Sequence, residues 1–342
     1  MRFRCRMVDI SAMRDFTNVV NGLSRIAKTC VLQITTEKLS FKVGDDRIPT
    51  MLAEISSKHF FTEYAMHGVS DEQNEIYIQI ETNALARCLV SLRMTARSMK
   101  MKLSHKREPC LTLEINLPSL ALEARQCVHD IPVRVIPRKE WPDHQIPDLP
   151  NFDISVNMPQ LKFVRNVVER MKNMSARLTL CADNLGEFVL KIDTDSATVS
   201  THFQDLQVQI SSQNDSNGKI SATIDIKKFW LFLGWDVLHS DNMKCNIIEG
   251  RMVNLSLEME DRLKIQNFIP AYDLVLGAVN PPGAEAGANV GVVVLIPKLN
   301  PVVADVVAGA PSAKPADAVV LVVLTPNPKS NVRVVSLNLN LC

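Results

Sequence analysis

The sequence predicts an α+β fold duplicated in tandem. Three observations predict it. The chain has 342 residues, enough for two domains of ~100–200 residues with sequence to spare. The order strand, helix, several strands, helix, strands is readable twice, although no literal repeat exists. Between the two passes lies a stretch crowded with prolines: Pro132, Pro137, Pro142, Pro147 and Pro150.

The first pass begins with residues 2–10, where alternation puts Phe3, Cys5 and Met7 on one side, as a strand requires. Ser11 is read as the N-cap of a helix over 12–28, with Met13, Phe16, Val20, Leu23 and Ala27 as its apolar stripe. Residues 30–35 and 39–43 flank a short turn and read as a hairpin. Strands follow at 51–55, 60–66 and 76–80. Thr82 caps a second helix expected to reach about residue 98, with Leu85, Leu89, Leu92 and Ala96 on one face. Strands return at 101–104 and 110–117.

Proline fixes φ and cannot donate to a ladder, so residues 128–151 are expected to be an extended connector rather than sheet. The boundaries expected are 1–127 for the first domain, 128–151 for the connector and 152–273 for the second domain. The second pass reads as a strand at 152–156 and a helix from Pro159 to about Asn173. Strands follow at 177–182, 187–194, 197–203, 206–210 and 219–224. A helix over about 225–239 carries Ile226, Phe229, Leu233 and Val237 inward, and strands at 243–248, 252–258 and 262–269 close the pass. Residues 274–342 have no aromatic side chain and few charges, so they have little to anchor a core. They are expected to be a poorly structured tail.

Composition excludes several classes. Hydrophobic residues make up 46% and charged ones 22% of the chain, as in globular proteins. A formal net charge of +1 rules out indiscriminate coating of nucleic acid, so any such role must come from where charges sit. The eight cysteines form no CxxC and lie mostly in apolar runs, which predicts reduced core thiols and a nuclear or cytosolic setting. Phosphate loops, dinucleotide fingerprints, HExxH and nucleophile elbows are missing from the sequence, and no cofactor or metal site is expected. Asp193 and Asp195 lack the glycine and glutamate of a calcium loop and read as a solvated hairpin end.

The helices carry a more specific pattern. In the first, Arg14, Asn18, Asn21, Arg25 and Lys28 recur at three- and four-residue steps opposite the apolar stripe. In the second, Arg93, Arg97 and Lys100 do the same with Arg87 nearby, and no acid occurs from Thr82 to Arg107. In the third, Lys162, Arg165 and Lys172 align, interrupted by Glu169; the fourth offers Lys227 and Lys228. Solvated faces normally mix both signs. Four basic faces in equivalent places predict a wall that neutralises phosphates without reading bases. An adaptor that never encircles DNA, and a hydrolase with a non-local site, are the competing readings.

The connector His129-Asp-Ile-Pro-Val-Arg-Val-Ile-Pro-Arg-Lys-Glu-Trp141 resembles the linker of checkpoint sliding-clamp subunits of the hydroxyurea-sensitivity (Hus) class. So do Phe60-Phe61, Gly68-Val69-Ser70, Asn74-Glu75-Ile76-Tyr77, Val168-Glu-Arg-Met-Lys-Asn173, Thr201-His-Phe-Gln-Asp-Leu206 and Phe268-Ile-Pro-Ala271. The resemblance spans residues 1–273. It implies a DNA-clamp fold of the proliferating-cell-nuclear-antigen type, with helices on the inner face and antiparallel sheets outside. It implies a non-catalytic subunit of a heterotrimeric ring, held by two other clamp subunits. A clamp loader would place that ring on double-stranded DNA at damage or stalled forks, in the nucleus with a cytoplasmic pool, to support checkpoint-kinase activation and repair proteins. It further implies a subunit interface at edge strands carrying Cys110, Leu111, Thr112 and Leu113 and Arg177, Leu178, Thr179 and Leu180. A partner-binding connector would include His129, Asp130, Ile131, Pro132, Ile136, Pro137, Arg138, Lys139 and Trp141.

Overall fold

The computed structural model describes residues 1–272, apart from 45–49, 71, 91, 93–95, 119–124, 146–150, 212–217, 239 and 241, together with the backbone of 290–295. The chain divides into two compact units. The first takes in Met1–Pro150, Leu231–Lys244 and Asn254–Ile269; the second takes in Asn151–Trp230, Cys245–Val253 and the chain from Pro270.

The first unit opens with β1 (Arg2–Met7), α1 (Ile10–Ile26), β2 (Thr29–Ile34), β3 (Lys38–Val43), β4 (Met51–Ser56) and a single turn, α2 (Ser57–Phe60). It continues with β5 (Glu63–His67), β6 (Ile76–Glu81), α3 (Thr82–Leu89), β7 (Ser98–His105), β8 (Pro109–Leu117), β9 (Arg125–Val135), a 3-10 turn at Arg138–Glu140 and α4 (Trp141–His144). Every pairing of these strands is antiparallel. β5, β1, β7, β8 and β9 follow one another across the sheet, and β6, β2, β3 and β4 continue it.

α1 forms because its apolar positions recur at helical spacing and bury Met13, Phe16, Val20 and Leu23. Phe16 meets Phe41 of β3 at 6.2 Å between ring centroids. The cap is Asp9, not Ser11: its carboxylate accepts from the backbone N–H groups of Ser11 and Ala12. α3 is tied to the end of α1 by the Thr82 hydroxyl, which donates to the carbonyls of Ala27 and Lys28.

Three expectations change here. α3 closes at Leu89 instead of reaching residue 98, and Ser98–His105 is strand β7. Lys100 therefore stands on a sheet, opposite Arg6 and Glu114, while the Arg97 backbone N–H bonds to Asn116 just before β7. The 93-97-100 spacing imitates a helix face, but buried Met99 and Met101 alternate with Lys100 and Lys102 at a strand's period. Arg93 itself lies outside the described residues.

The connector differs as well. Residues 125–132 pair with β8 and 133–135 with β6, so His129, Asp130, Ile131 and Pro132 belong to sheet. Buried Ile131 and Val133 supply the inward alternation, and Pro132 sits at the last β8 partner, where the ladder hands over to β6. Finally, Cys110–Leu113 lie in β8, paired to β7 and β9, and Arg177–Leu180 lie in a strand paired on both sides. Neither is an edge open to strand addition. An alternating pattern reveals which face is buried, not whether the lateral edge is free.

The second unit holds β10 (Ile154–Asn157), α5 (Leu161–Met171), β11 (Arg177–Ala182), β12 (Phe188–Asp193), β13 (Ala197–Phe203), β14 (Val208–Ile210) and β15 (Ile220–Asp225). α6 (Ile226–Phe232) then leads to a 3-10 stretch at Leu233–Leu238, and β16 (Met243–Ile248), β17 (Met252–Met259) and β18 (Leu263–Pro270) follow. β15, β11, β12 and β13 form an antiparallel sheet, and β10 pairs with β14. In the first unit β18 pairs with β4. The core of the second unit gathers Val164, Val168, Leu178, Leu180, Phe188 and Phe229. Of the tail, Val290–Leu295 forms β19, whose backbone runs parallel to β13; the rest lies outside the described residues.

Candidate nucleic-acid interface

At 3.6 residues per turn, the buried positions of α1 centre on one side, and Arg14, Asn21 and Arg25 fall opposite them. Arg14 and Arg25 are exposed, Asn18 and Asn21 half-buried. Lys28 is exposed just past the Ala27 C-cap, where a cation also suits the helix dipole. The Thr82 bonds bring this end of α1 to the start of α3, whose exposed Arg87 pairs loosely with Glu81 at 3.8 Å. Such an exposed pair holds its partners weakly. Arg97, although off the helix, shares with Arg14 and Asn18 a groove of about 680 Å³ floored by Val8, Ile10, Met13 and Leu92. The first unit therefore unites Arg14, Arg97, Arg25 and Lys28 around α1, and leaves Lys100 apart.

In the second unit α5 buries Leu161, Val164, Val168 and Met171. Lys162 stands on the opposite, exposed face, while Arg165 and Lys172 lie nearer the buried stripe and are half-buried. Lys172 is not free. Its ammonium pairs with Glu169 at 2.7 Å and lies 3.7 Å from the centroid of the Trp230 ring on α6. Arg165 comes within 5.8 Å of the same ring. Lys172 first, then the indole N–H, holds the Glu169 carboxyl below its ordinary value. α6 is capped by Asp225, which accepts from the Lys227 N–H at 2.8 Å, and both Lys227 and Lys228 are exposed. Arg170, passed over by sequence reasoning, is exposed on the far flank of α5. Its position in the periodic pattern was the available signal. Trp230 was invisible as a site residue, because its role depends on a helix about sixty residues earlier.

The connector is anchored rather than open. Trp141 of α4 is buried with Val31, Tyr77 and Ile136. Its indole N–H donates to the Ile136 carbonyl at 3.0 Å, and its ring meets Tyr77 at 4.9 Å. Arg138 donates to the Gln73 side chain, and Lys139 is exposed. Pro137 precedes the 3-10 turn, where fixed φ suits the start of a helical segment.

Among the described residues, no group of three His, Cys, Asp or Glu side chains could hold a metal. Cys5, Cys30, Cys110 and Cys245 are buried free thiols, and burial pushes Cys30 up to about 12, so it carries no thiolate at neutral pH. Cys88, Cys127 and Cys181 are half-buried and also free. Asp193 ends the β12–β13 hairpin, where it pairs with Lys191 at 3.0 Å and accepts from Thr198 at 2.7 Å. What the two units offer chemically is guanidinium and ammonium groups on helix faces, suited to phosphate oxygens.

Comparison with known proteins gives a consistent answer. A family profile described as Hus1-like protein matches residues 1–273. The human checkpoint protein HUS1 is 40% identical over 280 residues, covering 79% of this chain and 99% of that protein. The Schizosaccharomyces pombe checkpoint protein hus1 is 29% identical over 209 residues, covering 60% and 71%. Among solved structures, the proliferating cellular nuclear antigen of Entamoeba histolytica superposes with a TM-score of 0.57 at 11% identity, covering 79% of this chain and 98% of that one. The mixed α+β architecture is thus a clamp fold of that type, as the sequence implied.

Proposed function

The chain belongs to the Hus1-like family, and from that premise we propose that it is a non-catalytic subunit of a heterotrimeric ring around double-stranded DNA. In this reading a clamp loader places the ring at damaged or stalled DNA in the nucleus. There it serves as a scaffold for checkpoint-kinase activation and for repair proteins. The observation that carries the DNA-facing part is the pair of helices α1 and α5. Each buries one apolar stripe and turns cations off it: Arg14 and Arg25 on α1, and Lys162 on α5 with half-buried Arg165 at its flank. Arg87, Arg97 and Lys28 add cations within the first unit, and Lys227 and Lys228 within the second.

Such contacts neutralise phosphates and release counterions, so they give affinity without sequence preference, as a sliding protein requires. Charge reversal tests the assignment. In the purified trimer, Arg14→Glu with Lys162→Glu should flatten the dependence of log affinity on log salt by roughly 0.9 per phosphate lost. Subunit association should survive, as read by size-exclusion chromatography. Unchanged DNA affinity would favour the adaptor reading, and loss of the trimer would make these side chains structural.

A further inference from the structure

α5 contains a single acidic residue, Glu169, in the middle of a face that otherwise offers cations. An acid there should repel phosphate, or take the charge of whichever cation it pairs with. Two cations are within its reach: Lys172 at i+3, the C-cap of α5, and Arg165 at i−4. The structure pairs it with Lys172, through Oε1 at 2.7 Å. The other carboxylate oxygen, Oε2, accepts the indole N–H of Trp230. The Trp230 ring lies under the Lys172 ammonium at 3.7 Å from its centroid, a separation at which an ammonium is attracted to the indole face. Arg165 is 5.8 Å from the same centroid, within the outer range of that attraction. One side chain on α6 thus meets Glu169, Lys172 and Arg165 together.

We infer that Trp230 is a positioning residue that selects Lys172, rather than Arg165, as the partner of Glu169, so that Arg165 stays available for phosphate. Lys172 and Glu169 then cancel each other in place, and α5 presents Lys162 and Arg165 without a competing negative charge. The inference rests on the DNA-facing reading of α5 proposed above. It also revises the role of Lys172 from a phosphate ligand to an internal counter-ion.

The test uses the assembled trimer, with the slope of log DNA affinity against log salt as the readout. Trp230→Leu removes the ring and the N–H, which frees Glu169 to recruit Arg165. The slope should flatten by roughly 0.9, the value of one phosphate contact. Adding Glu169→Gln to that variant removes the recruiting acid and should restore the slope. A merely structural loss at position 230 would not be rescued this way. Trp230→Phe keeps a ring but no N–H and should fall between the two. Arg165→Glu is the control. If it leaves the slope unchanged, the DNA-facing reading itself has failed. If it flattens the slope while Trp230→Leu does not, or if Glu169→Gln fails to rescue, the positioning role is overturned.

Discussion

Trp141 joins several kinds of interaction at one residue: a buried indole, an N–H bonded to the Ile136 carbonyl and a ring 4.9 Å from Tyr77. Replacing it by Ala leaves a cavity over β2 and β6 and should cost about 3 kcal/mol, the low end for a buried large aromatic, in a denaturant unfolding curve. Glu187 gives a prediction in pH. Lys219 and then His202 donate to its carboxylate and hold it below its ordinary value of about 4.5. A carboxylate favoured in the native state stabilises fully above that value, and the benefit fades as pH falls through the lowered one. Wild type should therefore unfold at a higher temperature than Glu187→Gln at pH 7, with the gap closing as pH drops below about 4.5. A gap that stayed constant across that range would contradict the assignment. Single residues were unevenly legible in the sequence. Arg14 and Arg25 could be read because helical periodicity alone puts them outside. Lys172 could not, because Trp230 decides its role across the fold.

Within α1, Gly22 is where helix chemistry and packing oppose each other. Alanine is favoured over glycine in a helix interior by ~1 kcal/mol. A Cβ at Gly22, however, would stand 2.2 Å from the Trp235 ring of the 3-10 stretch, and that ring is buried. Overpacking of this kind costs ~1–3 kcal/mol, so packing outweighs propensity and Gly22→Ala should destabilise. Combining it with Trp235→Leu should cost less than the sum of the two single changes, because Leu makes room for the methyl. Additive costs would show that the two do not meet. Elements with strong local periodicity, α1 and α5 above all, were legible within about two residues. α3 was read too long because buried Leu92 and Ala96 continue the apolar spacing of Leu85 and Leu89 past its end, and Arg97 and Lys100 carry a helical charge spacing into a strand. β9 was read as a connector because proline argues against a ladder, while Pro132 occupies the place where one ladder ends. β8 lies between its chain neighbours β7 and β9, and β11 between β12 and the more distant β15; no local pattern reports which lateral edges such pairings close.

For the whole molecule, the tandem α+β organisation was legible in the repeated order of elements, and the clamp fold only through the resemblance of residues 1–273. The placement of cations on helices was legible only in part. The near-zero net charge of +1 arises because the cations on the helices are offset by acids such as Glu63, Glu114 and Asp130, which are paired on the sheets. In the proposed clamp reading, exposed cations of this kind give weak, salt-sensitive contacts, so retention on DNA comes from topology. That requirement is the central claim, and one measurement addresses it directly. The purified trimer, loaded on a closed circular duplex, is washed at moderate salt before and after a single cut by a restriction enzyme. Encirclement predicts persistence on the circle and rapid loss once free ends appear. Equal rates of loss from circular and linear DNA would contradict it.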